Sequence, residues 1–354
     1  MIHHKPIALI LFFLICGTSL AQNQSHGSGY LFDSDEVLII KLSGDIKSLT
    51  SDRSEDMDYH PMKLSYEANG SLISIPLKVK TRGHFRRTMG NCLYPPLLLN
   101  FSEKDTPENS TFNGQNKLKL VTPCKDERYV VHEYLVYKLY NLITPKSFKA
   151  RLVKVVYDDT VKHKQSEQLF GMILEDDDQM AARNNSTIIK DKIVRPEQTN
   201  TGDFLKMAVF EYLIGNTDWS VQYTQNVELM ETDSLSLPFP VPYDFDMSGI
   251  VGTPYSKPAA ELHLSSTRER RYRGYCMEDV SAFDDTFNLF NQSKEDIYAV
   301  YKDCPWLSDG YKKSTLKYLA DFYETINDEK SVRTAFTYPC DEKGTGNVVI
   351  RGLK

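Results

Sequence analysis

The densest gathering of chemically capable side chains lies between Gly215 and Gly249. Gly215-Asn216-Thr217-Asp218 closes an apolar stretch with helical spacing, Asn226 precedes a short β-like segment, and Asp244-Phe245-Asp246 follows another. Asp and Asn side chains on loops flanking a short hairpin can converge on one divalent cation. Mg²⁺ needs only one or two carboxylates and takes its other ligands from water and phosphate oxygens. A separate Asp nearby can accept a hydroxyl proton or orient an attacking group. Any one of these residues alone is equally a turn former or a cap. The ordered set is what points to chemistry.

Two further segments supply positive charge. Lys117-Leu118-Lys119-Leu120-Val121 reads as a strand with both lysines on one face, and Glu133 sits in the helical stretch after it. A strand lysine salt-bridged to a helix glutamate, reaching nucleotide phosphates, is an arrangement of phosphoryl transfer. Lys119 paired with Glu133 is the expectation. Arg268-Glu269-Arg270-Arg271-Tyr272-Arg273 is the most basic run in the chain. It reads either as a solvated face or as a dock for an acidic or phosphorylated acceptor.

The stretch Phe210-Glu211-Tyr212-Leu213-Ile214-Gly215-Asn216-Thr217-Asp218, then Asn226-Val227-Glu228-Leu229, then Pro242-Tyr243-Asp244-Phe245-Asp246, resembles the catalytic core of atypical protein kinases of the CotH-like and HipA-like kind. The resemblance implies Asp218 as catalytic Asp, Asn226 and Asp244 as metal ligands, and Asp246 as an accessory ligand or loop orienter. Asn226 follows Asp218 by eight residues, against five in common kinase loops. Trp219 and Ser220 stand where HipA-like loops often carry His. Lys80-Thr81-Arg82-Gly83-His84-Phe85-Arg86-Arg87 resembles the Arg-Gly-Asn-Ser-x-Arg turn of CotH-like proteins, which implies phosphate contact by Arg82 and by Arg86 or Arg87. Tyr94-Pro95-Pro96 replaces the Lys-Lys that usually follows. Phe170 to Asp176 resembles the strand that leads into the interlobe hinge, with Met172 or Leu174 flanking an adenine ring.

The elements that must hold these groups alternate in kind. Val37–Ile40, Leu72–Ile75, Leu77–Lys80, Leu97–Leu99 and Lys117–Val121 have strand periodicity, with Asn69-Gly70 and Gly83 as turn signals. Arg128–Ile143 switches to helical spacing and ends before Pro145. Strands are expected at Arg151–Tyr157 and Leu169–Leu174. A helix over Phe204–Ile214 follows, with Asp203 as its N-cap. Short β segments at Val227–Met230 and Pro240–Tyr243 come next, and then at least two helical stretches within Val280–Asn327.

At 354 residues, with 41% hydrophobic and 25% charged side chains, the chain has the composition of a globular protein of one large or two modest domains. A net charge of −6 without a dominant Lys/Arg block argues against a nucleic-acid partner. Ile7–Ile15 is an apolar run after His3, His4 and Lys5, and Ser19-Leu20-Ala21 offers a cleavage site. Residues 1–21 read as a signal peptide, giving an exported (periplasmic, cell-surface or secreted) protein with no transmembrane anchor in its mature chain. Five cysteines remain beyond the leader, without zinc-site spacing.

The resulting expectation is an α+β, two-lobed, kinase-like fold, with a β-rich lobe over 22–175 and a helical lobe with a C-terminal extension over 176–354. The expected activity is Mg²⁺- or Mn²⁺-dependent phosphoryl or nucleotidyl transfer from ATP to a protein or small-molecule hydroxyl. A catalytically inactive kinase-fold binding module and a metal-dependent phosphohydrolase are the alternatives.

Overall fold

The computed structural model describes residues 29–336 apart from Met89, Asp191 and Glu278, so the expected leader over 1–21 lies outside the described residues. The fold is mixed α/β. In chain order its first part runs α1 (Gly29–Phe32), β1 (Leu38–Gly44), α2 (Ile46–Ser51), β2 (His60–Ala68), β3 (Ser71–Thr81), β4 (Leu97–Phe101), β5 (Lys117–Val121), α3 (Arg128–Ile143), β6 (Ala150–Asp159), β7 (Lys164–Gln165) and β8 (Leu169–Leu174). The second part runs α4 (Asp177–Arg183), β9 (Thr187–Ile188), α5 (Thr201–Ile214), β10 (Val227–Glu231), β11 (Phe239–Pro242), α6 (Asp284–Gln292), α7 (Lys294–Lys302), α8 (Asp309–Ile326) and α9 (Glu329–Ala335).

The first part is one sheet that closes on itself. Its strand order is β1-β2-β3-β4-β5-β8-β6-β7, and β6 also returns to pair in parallel with β1. Closure follows from alternation. Leu64 and Tyr66, Ile75 and Leu77, Leu97 and Leu99, and Leu118 and Leu120 turn to one side and bury together as an inner core. The intervening residues of β5 and β8 face outward, and Val121, Met172 and Leu174 join a second core with α3. That core continues through α5, the β10–β11 hairpin and α6 to α9. Helix α3 is buried on nearly every side, which puts His132 and Glu133 in the protein interior at 5% and 2% exposure.

Helix α5 begins earlier than its apolar pattern suggests. Asn200, rather than Asp203, is its N-cap: Asn200 Oδ1 accepts the Asp203 N–H at 3.1 Å. Asp203 sits instead in the first turn, where its charge suits the helix dipole, and ion-pairs with Lys146 at 2.6 Å. The helix ends at Gly215, whose φ of 68° is the left-handed stop that glycine supplies without strain. Cys92 and Cys124 form a disulfide, Cys276 is also disulfide-bonded, and Cys304 is buried and free. Among the described residues no helix is long and apolar enough to cross a membrane.

Candidate active site

A cleft of about 510 Å³ is lined by residues of both parts. Arg82, Arg86, Lys119, Glu133, Asp218, Asn226, Asp244 and Asp246 all face it, although they are spread over six stretches of chain. Local structure explains how each arrives there. Past Gly215, the Asn216 side chain accepts the Asp218 N–H at 3.0 Å, a tight turn that aims Asp218 back at the cleft. Asn226 Nδ2 donates to the Asp218 backbone carbonyl at 2.7 Å and to Asp218 Oδ2 at 3.1 Å. With the donors of the amide spent on Asp218, its Oδ1 is the end left to meet a cation.

Asn226 and Asp244 flank the β10–β11 hairpin, and both adopt left-handed backbone, with φ of 53° and 60°. For residues other than glycine this conformation costs about 1 kcal/mol or more, and such outliers cluster at functional sites. The strain is held by specific bonds. The Asn226 carbonyl accepts the Tyr243 N–H at 3.0 Å, and the Asp244 N–H donates to the Tyr137 hydroxyl at 2.9 Å.

One guanidinium organises the acids. Arg86, from the β3–β4 loop, reaches Glu133 Oε2 at 2.9 Å and Asp246 Oδ2 at 2.7 Å, with Asp244 Oδ1 at 3.9 Å. The Tyr255 hydroxyl donates to Asp246 Oδ2 at 2.9 Å. Burial works against the Arg86 charge, but Asp246 and Glu133 outweigh it and hold the group well above its usual value. Burial pushes Glu133 up to about 7 despite Arg86, with Asp246 adding to the rise, and its Oε1 is buried without a hydrogen-bond partner among the described residues. Asp244 is pushed up to about 6, first by its protein surroundings and then by Asp246. Its side chain is nonetheless 51% accessible, because the open side is the cleft itself. Burial and Asp246 also raise Asp218. One positive charge shared among crowded acids leaves Glu133, Asp244 and Asp218 all raised above their usual values.

One site expectation needs correction. Lys119 does not pair with Glu133. Its ammonium lies 2.6 Å from Asp177 at the start of α4, because the β5–β8 register sets Lys119 beside Leu174, where β8 leaves the sheet toward Asp177. Glu133 is already held by the Arg86 fork. Met172 is fully buried in the outer core, whereas Leu174 reaches the cleft with Val121, Pro96, Tyr243 and Met247, an apolar lining suited to a flat ring. Arg87 turns back to the Gly83 carbonyl at 2.8 Å.

The basic run braces the site from behind. Arg273 donates to the carbonyls of Thr217 and Trp219, and Arg270 to those of Leu213 and Tyr318. Arg273 thereby holds the Asp218 loop, while Arg270 ties the last turn of α5 to α8 through two of its nitrogens. Reading the sequence missed Tyr137, Tyr255 and Asp177. Of these, only Asp177 carried a signal, as part of the acidic cluster that ends β8.

The donor set fits a hard cation. Asn226, Asp244 and Asp246 offer only oxygen, and the acids around them outnumber the charge of Arg86. Among the described residues no three His, Cys, Asp or Glu side chains gather closely enough to bind a metal alone. A cation here would depend on water and phosphate oxygens, as Mg²⁺ commonly does.

No family model matches the chain, and no curated protein matches it. Among solved structures the chain is similar to the Helicobacter pylori proinflammatory kinase CtkA, at 10% identity and a TM-score of 0.41, over 72% of this chain and 94% of that one.

Proposed function

We propose that the cleft binds a nucleoside triphosphate together with Mg²⁺ or Mn²⁺ and transfers a phosphoryl or nucleotidyl group to a hydroxyl on a protein or small molecule. The observation that carries this reading is the convergence of Asp218, Asn226 and Asp244 on one cleft with Arg82, Arg86 and Lys119. Carboxylates alone would suit many metal sites; carboxylates facing a row of cations suit a metal-bound polyphosphate.

In this reading Asn226, Asp244 and Asp246 hold the cation, which when bound neutralises charge on the phosphate oxygens. Arg82 forms no ion pair among the described residues and is the side chain best placed to receive a phosphate. Asp218, its carboxyl raised by burial and oriented by Asn226, accepts the proton of the acceptor hydroxyl. Leu174, Val121 and Tyr243 flank the base. The fold reading that goes with this is a two-lobed kinase-like arrangement of the CotH-like or HipA-like kind. The sheet and α3 form one lobe and the region after Glu175 the other. The apolar leader and the Cys92–Cys124 disulfide support an exported protein.

A second reading, nucleotide binding without transfer, draws on the engagement of Lys119 by Asp177. Incubation with radiolabelled ATP and Mg²⁺ separates them. Transfer predicts labelled acceptor or autolabelled protein that Asp218→Asn abolishes while nucleotide binding persists. Binding without label selects the second reading, and release of free phosphate alone indicates hydrolysis.

A further inference from the structure

A second cavity, of about 500 Å³, lies apart from the cleft, and its charged walls are mostly positive: Arg268, Arg270 and Lys317, with Asp321 as the one acid. Tyr318 forms its floor. The guanidinium carbons of Arg268 and Arg270 lie 4.4 and 3.6 Å from the centroid of the Tyr318 ring. Two like charges are thus stacked on a single ring, which partly offsets their repulsion without neutralising it. None of the three cations forms an ion pair among the described residues, and Ser314 adds a hydroxyl at the rim. Arg270 spends Nε on the Leu213 carbonyl and Nη2 on the Tyr318 carbonyl, so it is rigidly presented. Besides its stacking on Tyr318, the Arg268 guanidinium makes one long 3.4 Å bond to the Gly249 carbonyl, and the residue is exposed.

We infer that this cavity is a binding site for a phosphate-class oxyanion, either free or as a phosphomonoester, held between Arg268, Arg270 and Lys317. Arg270 supplies the fixed wall, while Arg268 and Lys317 close on the anion. Charge-assisted bonds to each would supply affinity that Asp321 partly opposes. The site is independent of the reading of the cleft. It backs onto the same segments, because Leu213 lies in the last turn of α5 before Asp218 and Gly249 follows Asp246 closely.

The test is calorimetric titration of the full chain with inorganic phosphate, in the absence of nucleotide and divalent metal. The expected result is one saturable site, weakened about tenfold or more in the Arg268→Ala/Lys317→Ala double variant, since each charged bond is worth on that order. Asp321→Asn should tighten it, and Arg82→Ala, which alters only the cleft, should leave it unchanged. Circular dichroism of the double variant checks folding. Should that variant misfold, Asp321→Asn still decides. Competition with O-phosphoserine separates the two sources: tighter binding than phosphate marks a phosphomonoester site, weaker binding a site for the free anion. The inference is overturned if the parent shows no saturable binding, if neither the double variant nor Asp321→Asn changes the affinity, or if Arg82→Ala abolishes it.

Discussion

Arg86 reaches Glu133 on α3 and Asp246 beyond β11 with the same guanidinium, joining groups 47 and 160 residues away in sequence. Removing it leaves two nearly buried acids without their shared cation. Breaking a buried pair from one side costs about 3–5 kcal/mol. Arg86→Ala should therefore lose roughly that much stability in urea denaturation at pH 8, and less at pH 5, where Glu133 can take up a proton. A loss under about 1 kcal/mol at pH 8 would show that the bridge does not organise the cleft.

Asp244 gives a sharper pH test. Its folded pKa of about 6 exceeds its usual value of 3.8, so the folded state binds more protons between those limits. Its contribution to stability is present below the lower value and lost as pH rises through the upper one. Asp244→Asn, which carries no charge, should gain stability relative to the parent between pH 4 and 7, and Mg²⁺ should narrow that gap by stabilising the parent. Melting temperatures across this range check it; a constant difference would remove Asp244 from the crowded acid cluster. At this scale the residue types and their order were legible in the sequence. The partners were not, because nothing local says that Arg86, rather than Lys119, reaches Glu133.

Between β3 and β4 runs the loop that carries Arg82 and Arg86, and Cys92 in it is tied to Cys124, just before α3. The disulfide fixes the Arg86 loop to the helix that bears Glu133. Cys92→Ser/Cys124→Ser should lower stability by roughly 2–4 kcal/mol, the range for loops of such length. It should also weaken nucleotide binding, because the loop that presents both arginines loses its tether. Guanidinium denaturation and a nucleotide titration measure the two effects, and unchanged affinity would mean that Arg86 and its partners hold the loop alone.

Close approach matters at Gly249 as well. A Cβ there would collide with the Thr267 carbonyl, so only glycine lets the arginine-bearing segment cross behind the Asp246 turn. Elements with strong periodicity were readable in advance: β5, β8, α3 and α5 all fall within a few residues of their expected limits, whereas the two runs expected at Leu72–Ile75 and Leu77–Lys80 form one strand, β3, that continues through Pro76. Strand β2 was not anticipated, although Met62, Leu64 and Tyr66 alternate. Pro61 and the charged and polar residues between them mask a strand whose one face is buried.

For the molecule as a whole, the feature least visible in the sequence is the parallel pairing of β1 with β6, which closes the sheet. Strands more than a hundred residues apart carry no local sign of meeting, and closure buries the inner core while freeing the outer faces of β5 and β8 for α3. It is this outer face, and not the interior of the ring, that offers Lys119 to the cleft opposite Asp218 and Asp244. The cleft is therefore assembled from stretches between Arg82 and Tyr255 that meet only in the folded protein, and one measurement tests that assembly most directly. Titration of the full chain with ATP, with and without Mg²⁺, should show binding that requires the metal, that survives Asp218→Asn, and that falls at least about tenfold in Asp244→Asn. Metal-independent binding, or equal affinity in the parent and Asp244→Asn, would contradict the account.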